Sequence, residues 1–271
     1  MAAESLMTSP ARARELWDTL GGTPFISGAF KPRVLLSLVA SVRKKAAPQA
    51  HPNLIDYLDP SNAAKIFHDN ARCQTDGIES AAMEQAHEEQ VASAVERITQ
   101  GMPEWAPLFA IPIRYRHMPG THISCTTALI PQTIFLGTPA FASDRLLEET
   151  LIHEHAHVWL SFVSELCDLQ VDGSLTHFTL PSGTSGKSLR GVLLAGHFAA
   201  AAAVFFLRPT ADAASRVRGS ELTKYLEGCV ATAAGHHELS PIGGLVHADL
   251  HAAAERLRNA AESAGQGALT S

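Results

Sequence analysis

The sequence predicts a mostly α-helical α+β fold, with a helical core and a small antiparallel sheet ahead of a long helix that begins near Ser143. Apolar residues recur at helical spacing over most of the 271-residue chain, and only 108–136 are rich in β-branched and aromatic residues. With 46% hydrophobic residues, the chain can bury a core of enzyme size. We expect a single domain over 1–271, with a helical N-terminal part, 1–105, and a second part, 106–271.

Each element follows from local pattern and turn residues. Helices are predicted ahead of the sheet at 10–20, 31–45, 62–70 and 78–100. Strands are predicted at 109–116, 122–127 and 133–136, separated by turn residues. Helices follow from Ser143 to about Cys167, from Leu189 onward through an alanine-rich run, and at 220–234 and 241–264.

The apolar stretch 192–207 is the one segment that resembles a membrane span. At 16 residues it is shorter than the roughly 20 that a span needs, and it contains His197. We interpret it as a helix buried in the protein core, and we expect no membrane partner.

Charge and cysteine content argue against a nucleic-acid-binding protein and against a disulfide framework. The net charge is −6 and basic residues cluster only at 42–45, which argues against a nucleic-acid partner and favours a solvated helix face for that cluster. The four cysteines have no CxxC spacing, as expected for reduced thiols. The first residues, MAAESL, contain an acid and no apolar run, so we expect no secretory signal and a cytoplasmic location.

An HExxH motif, His153, Glu154 and His157, carries the clearest chemical signal. Residues four apart on an α-helix lie one above the other, so the two imidazoles can serve one divalent ion. Ser143 is a plausible N-cap, which places the motif in the middle of its helix. The sequence therefore predicts a metal site.

A third ligand has to come from elsewhere in the chain. Metzincin spacing would need glycine at 160 and histidine at 163, but Leu160 and Val163 stand there. His197, in the alanine-rich helix, is the main candidate, because a buried imidazole without a partner costs about 1–3 kcal/mol. The alternative is an ordinary core histidine whose hydrogen bonds are satisfied.

Other polar residues are weaker candidates for the third ligand. Glu165 lies two turns past His157, usually too far for the same ion. Glu221 and Glu227 are expected to be solvated, and His155 is expected at the surface or as a support for the ligands, because it projects to another side of the helix.

Three runs resemble a known family: PQTIFLGTP at 131–139, LEETLIHEHAH at 147–157 and RGVLLAGHFA at 190–199. They are similar to the HExxH proteins found beside peptide natural-product pathways and described as α-ketoglutarate-dependent peptide β-hydroxylases, over roughly 120–210. The resemblance implies Fe(II) and α-ketoglutarate as cofactors and a peptide or amino-acid-derived substrate.

The resemblance changes the role expected of each residue. In an iron hydroxylase, Glu154 would orient a ligand, and Arg190 is the first choice to bind the distal carboxylate of the oxo acid, with Arg114 and Arg116 as alternates. We expect this hydroxylase, with His153, His157 and His197 as metal ligands.

A zinc metallopeptidase is the alternative, in which Glu154 acts as the general base that takes a proton from a zinc-bound water. A structural metal in a binding protein is disfavoured, because structural zinc sites are usually rich in cysteine.

Overall fold

Helices make up most of the structure, a computed structural model that describes residues 9–71 and 78–267. Over these residues the mostly helical α+β prediction is confirmed. The helices are α1 (Pro10–Leu20), α2 (Pro32–Ala46), α3 (Pro60–Ala71), α4 (Gln85–Gly101), α5 (Ala106–Phe109), α6 (Asp144–Leu166), α7 (Leu189–Phe206), α8 (Ala213–Ala233) and α9 (Pro241–Gly267). The strands are β1 (Arg114–Met118), β2 (Ser124–Thr126) and β3 (Thr133–Gly137).

Helix starts agree closely with the prediction where a proline marks them. Prolines open α1, α2, α3 and α9, because the proline φ suits a first helical turn and its missing N–H is not needed there. Helix α4 begins at Gln85 rather than at 78, since Ala81 pairs with His117 as an isolated bridge. Helix α8 begins earlier than expected, at Ala213, where the Asp212 side chain accepts a hydrogen bond from the Ser215 amide.

The sheet is mixed rather than antiparallel. Its strand order is β1-β3-β2, with β2 antiparallel to β3 and β1 parallel to β3. The expected antiparallel arrangement is therefore wrong for the β1–β3 pair. All five residues of β3 are buried, and a strand covered on both faces takes the centre of a sheet. Strand β2 is left at an edge.

The chain divides into two compact units. One, here called the motif unit, comprises 32–71 and 78–166, and the other, the α7 unit, comprises 9–31 and 167–267. The boundary expected near residue 105 falls inside the motif unit. A single catalytic domain over the whole chain stays a prediction.

In the motif unit, α6 packs against α2 and α4 and contacts β2. Trp159 and Phe162 are among its largest fully buried side chains, and the Trp159 indole N–H donates to the Leu108 carbonyl at 2.9 Å. The packing of these buried side chains fixes the orientation of α6. It thereby also fixes the position of the motif.

In the α7 unit, α7 packs against α8 and α9. Five consecutive alanines, 199–203, are fully buried. Gly196 also permits a close approach, because a Cβ there would lie 3.2 Å from a methyl of Leu250. Among the described residues, α7 alone is long and apolar enough to cross a membrane by length and composition, yet 72% of it is buried, as expected for a core helix.

Candidate metal site on helix α6

Helix α6 presents the two motif histidines on one face. The Ser143 hydroxyl accepts a hydrogen bond from the Leu146 amide at 3.2 Å, which confirms the N-cap. The helix then runs to Leu166. The rings of His153 and His157 lie edge to face, with centroids 4.5 Å apart. Two imidazole donors are thus side by side, as the spacing predicts.

The His153 ring is in a state suited to metal binding. Its side chain is 32% exposed, so an ion could reach it from solvent. Local burial lowers the pKa of His153, while the charges of Glu154 and Glu149 partly oppose that shift. The neutral imidazole, which is the form that ligates metals, is therefore favoured at neutral pH.

Glu154 is a buried carboxylate held beside these rings. Its Oε1 accepts a hydrogen bond from the Ser124 hydroxyl at 2.6 Å and lies 4.0 Å from His153 Nε2. Its Oε2 is buried and has no hydrogen-bond partner among the described residues. A buried carboxylate oxygen in this state suits a proton, a water or a cation.

Ser124 is a site residue that the sequence reading missed. It lies on the edge strand β2, which contacts α6. Nothing local distinguishes it, because the strand reads Ser-Cys-Thr and a short polar residue in an edge strand is ordinary. Only the packing of β2 against α6 brings its hydroxyl to Glu154.

His155 lies on a different side of α6 and is fully buried, so the expected surface position is wrong. Its Nε2 is 2.8 Å from the Tyr115 hydroxyl on β1, and its ring centroid is 4.3 Å from that of Phe109. Burial lowers the pKa of His155 to about 3, with the Leu108 carbonyl partly opposing. Two residues on from His153, the side chain faces the packed side of the helix rather than solvent.

His197 belongs to the α7 unit and is fully buried. Its Nε2 is 2.9 Å from the Pro24 carbonyl oxygen, and its ring lies near that of Phe25, with centroids 6.2 Å apart. The imidazole thus has the partner that its burial requires. Its role as third metal ligand stays a prediction.

Arg190 also belongs to the α7 unit, in the first turn of α7. Its backbone amide donates to the Gln170 side chain at 2.8 Å. Burial lowers the pKa of its guanidinium, and the charge of Asp168 opposes that shift. The alternates lie on β1, where Arg116 donates to the Ser80 carbonyl at 3.0 Å and Arg114 to the Thr133 hydroxyl at 3.2 Å.

The weaker carboxylate candidates for the third ligand have cationic partners. Glu165 accepts two hydrogen bonds from Arg43, at 2.8 and 2.7 Å, so it is engaged away from the motif. Glu221 pairs with Arg218 and Glu227 with Arg258. Over residues 9–71 and 78–267, no three His, Cys, Asp or Glu side chains are grouped to hold a metal ion.

The edge strand beside Glu154 is flanked by exposed apolar residues. Within 9–71 and 78–267, strand β2 has only β3 as a strand neighbour in the sheet. Ile123 and Leu129, which flank the strand in sequence, are each 45% exposed. A strand at the edge of a sheet can accept an extended peptide as an added strand.

Comparison with known proteins gives no family for the chain. No protein-family model matches it, and no curated protein matches its sequence. The function is therefore inferred from the residues of the site and from the resemblance of the three runs around them.

Proposed function

We propose that the chain is a non-haem Fe(II)- and α-ketoglutarate-dependent dioxygenase that hydroxylates an amino-acid side chain of a peptide or a related small substrate. The observation that carries the proposal is the pair of adjacent imidazoles, His153 and His157, with the buried carboxylate of Glu154 beside them. Imidazole combined with oxygen ligands suits Fe(II) and leaves room for further ligands.

The residues of the site supply part of the ligand set that an Fe(II) ion needs. His153 and His157 supply two nitrogen donors, and the Glu154 carboxylate beside His153 has a buried Oε2 with no hydrogen-bond partner in the described ranges. His197 is the proposed third ligand, on the resemblance alone. When bound, the metal would supply the oxidising chemistry, in which α-ketoglutarate and dioxygen become succinate and carbon dioxide as the substrate C–H becomes C–OH.

The protein residues have positioning roles in this proposal. Ser124 holds one oxygen of Glu154, and Glu154 in turn lies against His153 and can orient it, as carboxylates near metal ligands commonly do. Arg190 is proposed to bind the distal carboxylate of the oxo acid, since a planar guanidinium can grip both oxygens of a carboxylate.

A peptide substrate is supported by strand β2. Its edge lies next to Glu154 through Ser124, and backbone hydrogen bonds along an edge can align an extended chain with a site. The exposed Ile123 and Leu129 could contact apolar side chains of such a peptide.

A zinc metallopeptidase is the second candidate, and a specific observation favours it. Glu154 Oε2 is buried near His153 without a hydrogen-bond partner among the described residues. A general base needs such an acceptor for the proton of a water molecule. The same edge strand would then align the peptide bond to be cleaved.

The decisive experiment is metal analysis of anaerobically purified protein, combined with a test for succinate formation from α-ketoglutarate. We expect iron to bind, and His153→Ala and His157→Ala each to abolish metal binding. His251→Ala is the matched control, because His251 is exposed in α9. Retention of stoichiometric metal in both motif variants would contradict the site.

Arg190→Lys tests the oxo-acid part of the proposal separately. Lysine keeps the charge but loses the fork that binds two carboxylate oxygens. We expect the apparent affinity for α-ketoglutarate to fall while metal content is unchanged. If the oxo-acid dependence is unaltered, or if wild-type protein binds no oxo acid, the metallopeptidase replaces the hydroxylase.

A further inference from the structure

A cavity of about 620 Å³ lies in the motif unit, between α4, the segment before β1, and β1 itself. This size is in the range of small-molecule sites. Most of its wall is apolar, from residues such as Met83, Val91, Val95, Ile111 and Phe109. None of the proposed metal ligands lines it, so the function proposed above leaves it unused.

The largely apolar wall of the cavity also contains an arginine. Arg114 lines the cavity, and its Nη2 donates to the Thr133 hydroxyl at 3.2 Å. The Arg114 side chain is half-buried rather than fully enclosed. A guanidinium has five N–H donors, so a carboxylate in the cavity could accept hydrogen bonds from those donors that face it.

The wall also contains a carboxylate, which is more exposed to solvent than Arg114 is. Glu88 also lines the cavity, but it is exposed in the first turn of α4, where solvent and salt screen its charge. The partly buried Arg114 guanidinium is therefore the stronger electrostatic feature for a bound molecule.

We propose that this cavity is a binding site for a small carboxylic acid with an apolar body. The carboxylate would accept hydrogen bonds from Arg114, and the apolar body would lie against the wall formed by α4 and the segment before β1. A guanidinium paired with a carboxylate gives a charge-assisted hydrogen bond, and the aliphatic wall supplies hydrophobic contact.

This chemistry differs from that of α-ketoglutarate. The oxo acid has two carboxylates and little apolar surface, so a single cation in an apolar wall suits it poorly. The cavity ligand and the oxo acid should therefore bind independently, and failure of one proposal leaves the other standing.

The test is calorimetric titration of the full chain with octanoate, 1-octanol and octylamine as probes. We expect saturable binding of octanoate, and binding of 1-octanol that is at least about tenfold weaker because the charge-assisted bond is missing. Millimolar α-ketoglutarate should leave the octanoate affinity unchanged.

Two variants locate the site. Arg114→Gln should weaken octanoate binding by about tenfold or more, to the level of 1-octanol. Ala92→Trp, at an exposed position of α4 in the cavity wall, should block octanoate even if the first variant fails to fold. Arg116→Gln is the control, because this arginine lies on the same strand but donates to Ser80.

Four results would overturn the proposal: no saturable binding of octanoate, tighter binding of octylamine, competition by α-ketoglutarate, or unchanged octanoate affinity in both Arg114→Gln and Ala92→Trp.

Discussion

The two carboxylate oxygens of Glu154 have different surroundings. One accepts a hydrogen bond from Ser124, and the other is buried without a hydrogen-bond partner in the described part of the chain. The oxygen held by Ser124 suits a group that orients His153. The oxygen without a partner suits a group that accepts a proton. The choice between the two proposed functions therefore depends on which oxygen takes part in the chemistry.

Glu154→Gln separates these roles, because the amide keeps the shape but loses the charge and most of the basicity. In a hydroxylase we expect a partial loss of turnover with metal retained. In a peptidase the loss should be about 10²–10⁴-fold or greater, as for removal of a general base. Steady-state kinetics with metal content measured on the same sample distinguishes the two, and loss of all turnover with metal bound would contradict the hydroxylase.

Ser124→Ala is the matched variant for the same site. It removes the hydrogen bond to Oε1 and leaves the carboxylate in place. If Glu154 orients His153, this variant should lower turnover in the same direction as Glu154→Gln, with metal retained. Unchanged turnover in Ser124→Ala would show that the hydroxyl has no positioning role.

His197→Ala tests the third ligand. Loss of a ligand should weaken metal affinity strongly while the other imidazoles remain. Loss of a core histidine that bonds to the Pro24 carbonyl should instead lower the free energy of unfolding by about 1–3 kcal/mol and leave metal affinity unchanged. Metal titration and thermal unfolding of one preparation check both outcomes, and the second would remove His197 from the site.

At the scale of elements, a buried ion pair ties α2 to the end of α6. Arg43 is 1% exposed and bonds to both oxygens of Glu165, to the Tyr57 carbonyl and to the Gln132 side chain. The expectation of a solvated face at 42–45 is therefore wrong for Arg43, although Lys44 and Lys45 are exposed.

Arg43→Met should destabilise the protein by about 3–5 kcal/mol, because Glu165, whose side chain is 11% exposed, would be left without a counter-charge. The double variant Arg43→Met with Glu165→Leu should recover much of that loss, since neither charge is then buried. Urea unfolding measures both. Arg14→Met is the control, because Arg14 and Asp18 are exposed and 3.9 Å apart, and such pairs contribute about 0–1 kcal/mol. A cost for Arg43→Met as small as the control would contradict the assigned role.

Helix α6, which carries the motif, makes polar contacts on the side opposite the two motif histidines. His155 meets the Tyr115 hydroxyl, and Trp159, one turn further on, donates to the Leu108 carbonyl. Both contacts fix the rotation of α6 about its axis. The face with His153 and His157 is thereby directed away from this packed side, as their helical positions require.

At the scale of the whole molecule, α6 is held in its unit by packing against α2, α4 and β2. We therefore expect metal removal by a chelator to leave the helical circular dichroism signal unchanged. Adding metal at 100 times its Kd should raise the free energy of unfolding by about 2.7 kcal/mol through mass action. His157→Ala should show no such increase. Loss of helical signal on chelation would indicate a structural metal instead.

The structure describes three of the four cysteines, and reduced thiols in the protein stay a prediction. Cys125, Cys167 and Cys229 are free, and Cys73 lies outside the described residues. Burial raises the pKa of Cys229 to about 12 and that of Cys167 to about 11, so neither is a reactive thiolate at neutral pH.

The sequence by itself determined the features that depend on short spacings. The helical period placed His153 and His157 on one face, Ser143 marked the start of α6, and the alanine-rich run indicated a buried helix. These signals are local, because a helix is defined by contacts between residues three and four positions apart.

Only the tertiary structure decided which distant residues meet. The bond between Arg43 and Glu165 joins residues 122 positions apart, and that between His197 and Pro24 joins residues 173 apart. Three other features also depend on contacts between residues distant in sequence. They are the central position of β3 in the sheet, the hydrogen bond between Ser124 and Glu154, and the burial of His155. A buried polar group needs a partner, but its own sequence neighbours do not say which one, because the partner is chosen by the packing of whole elements.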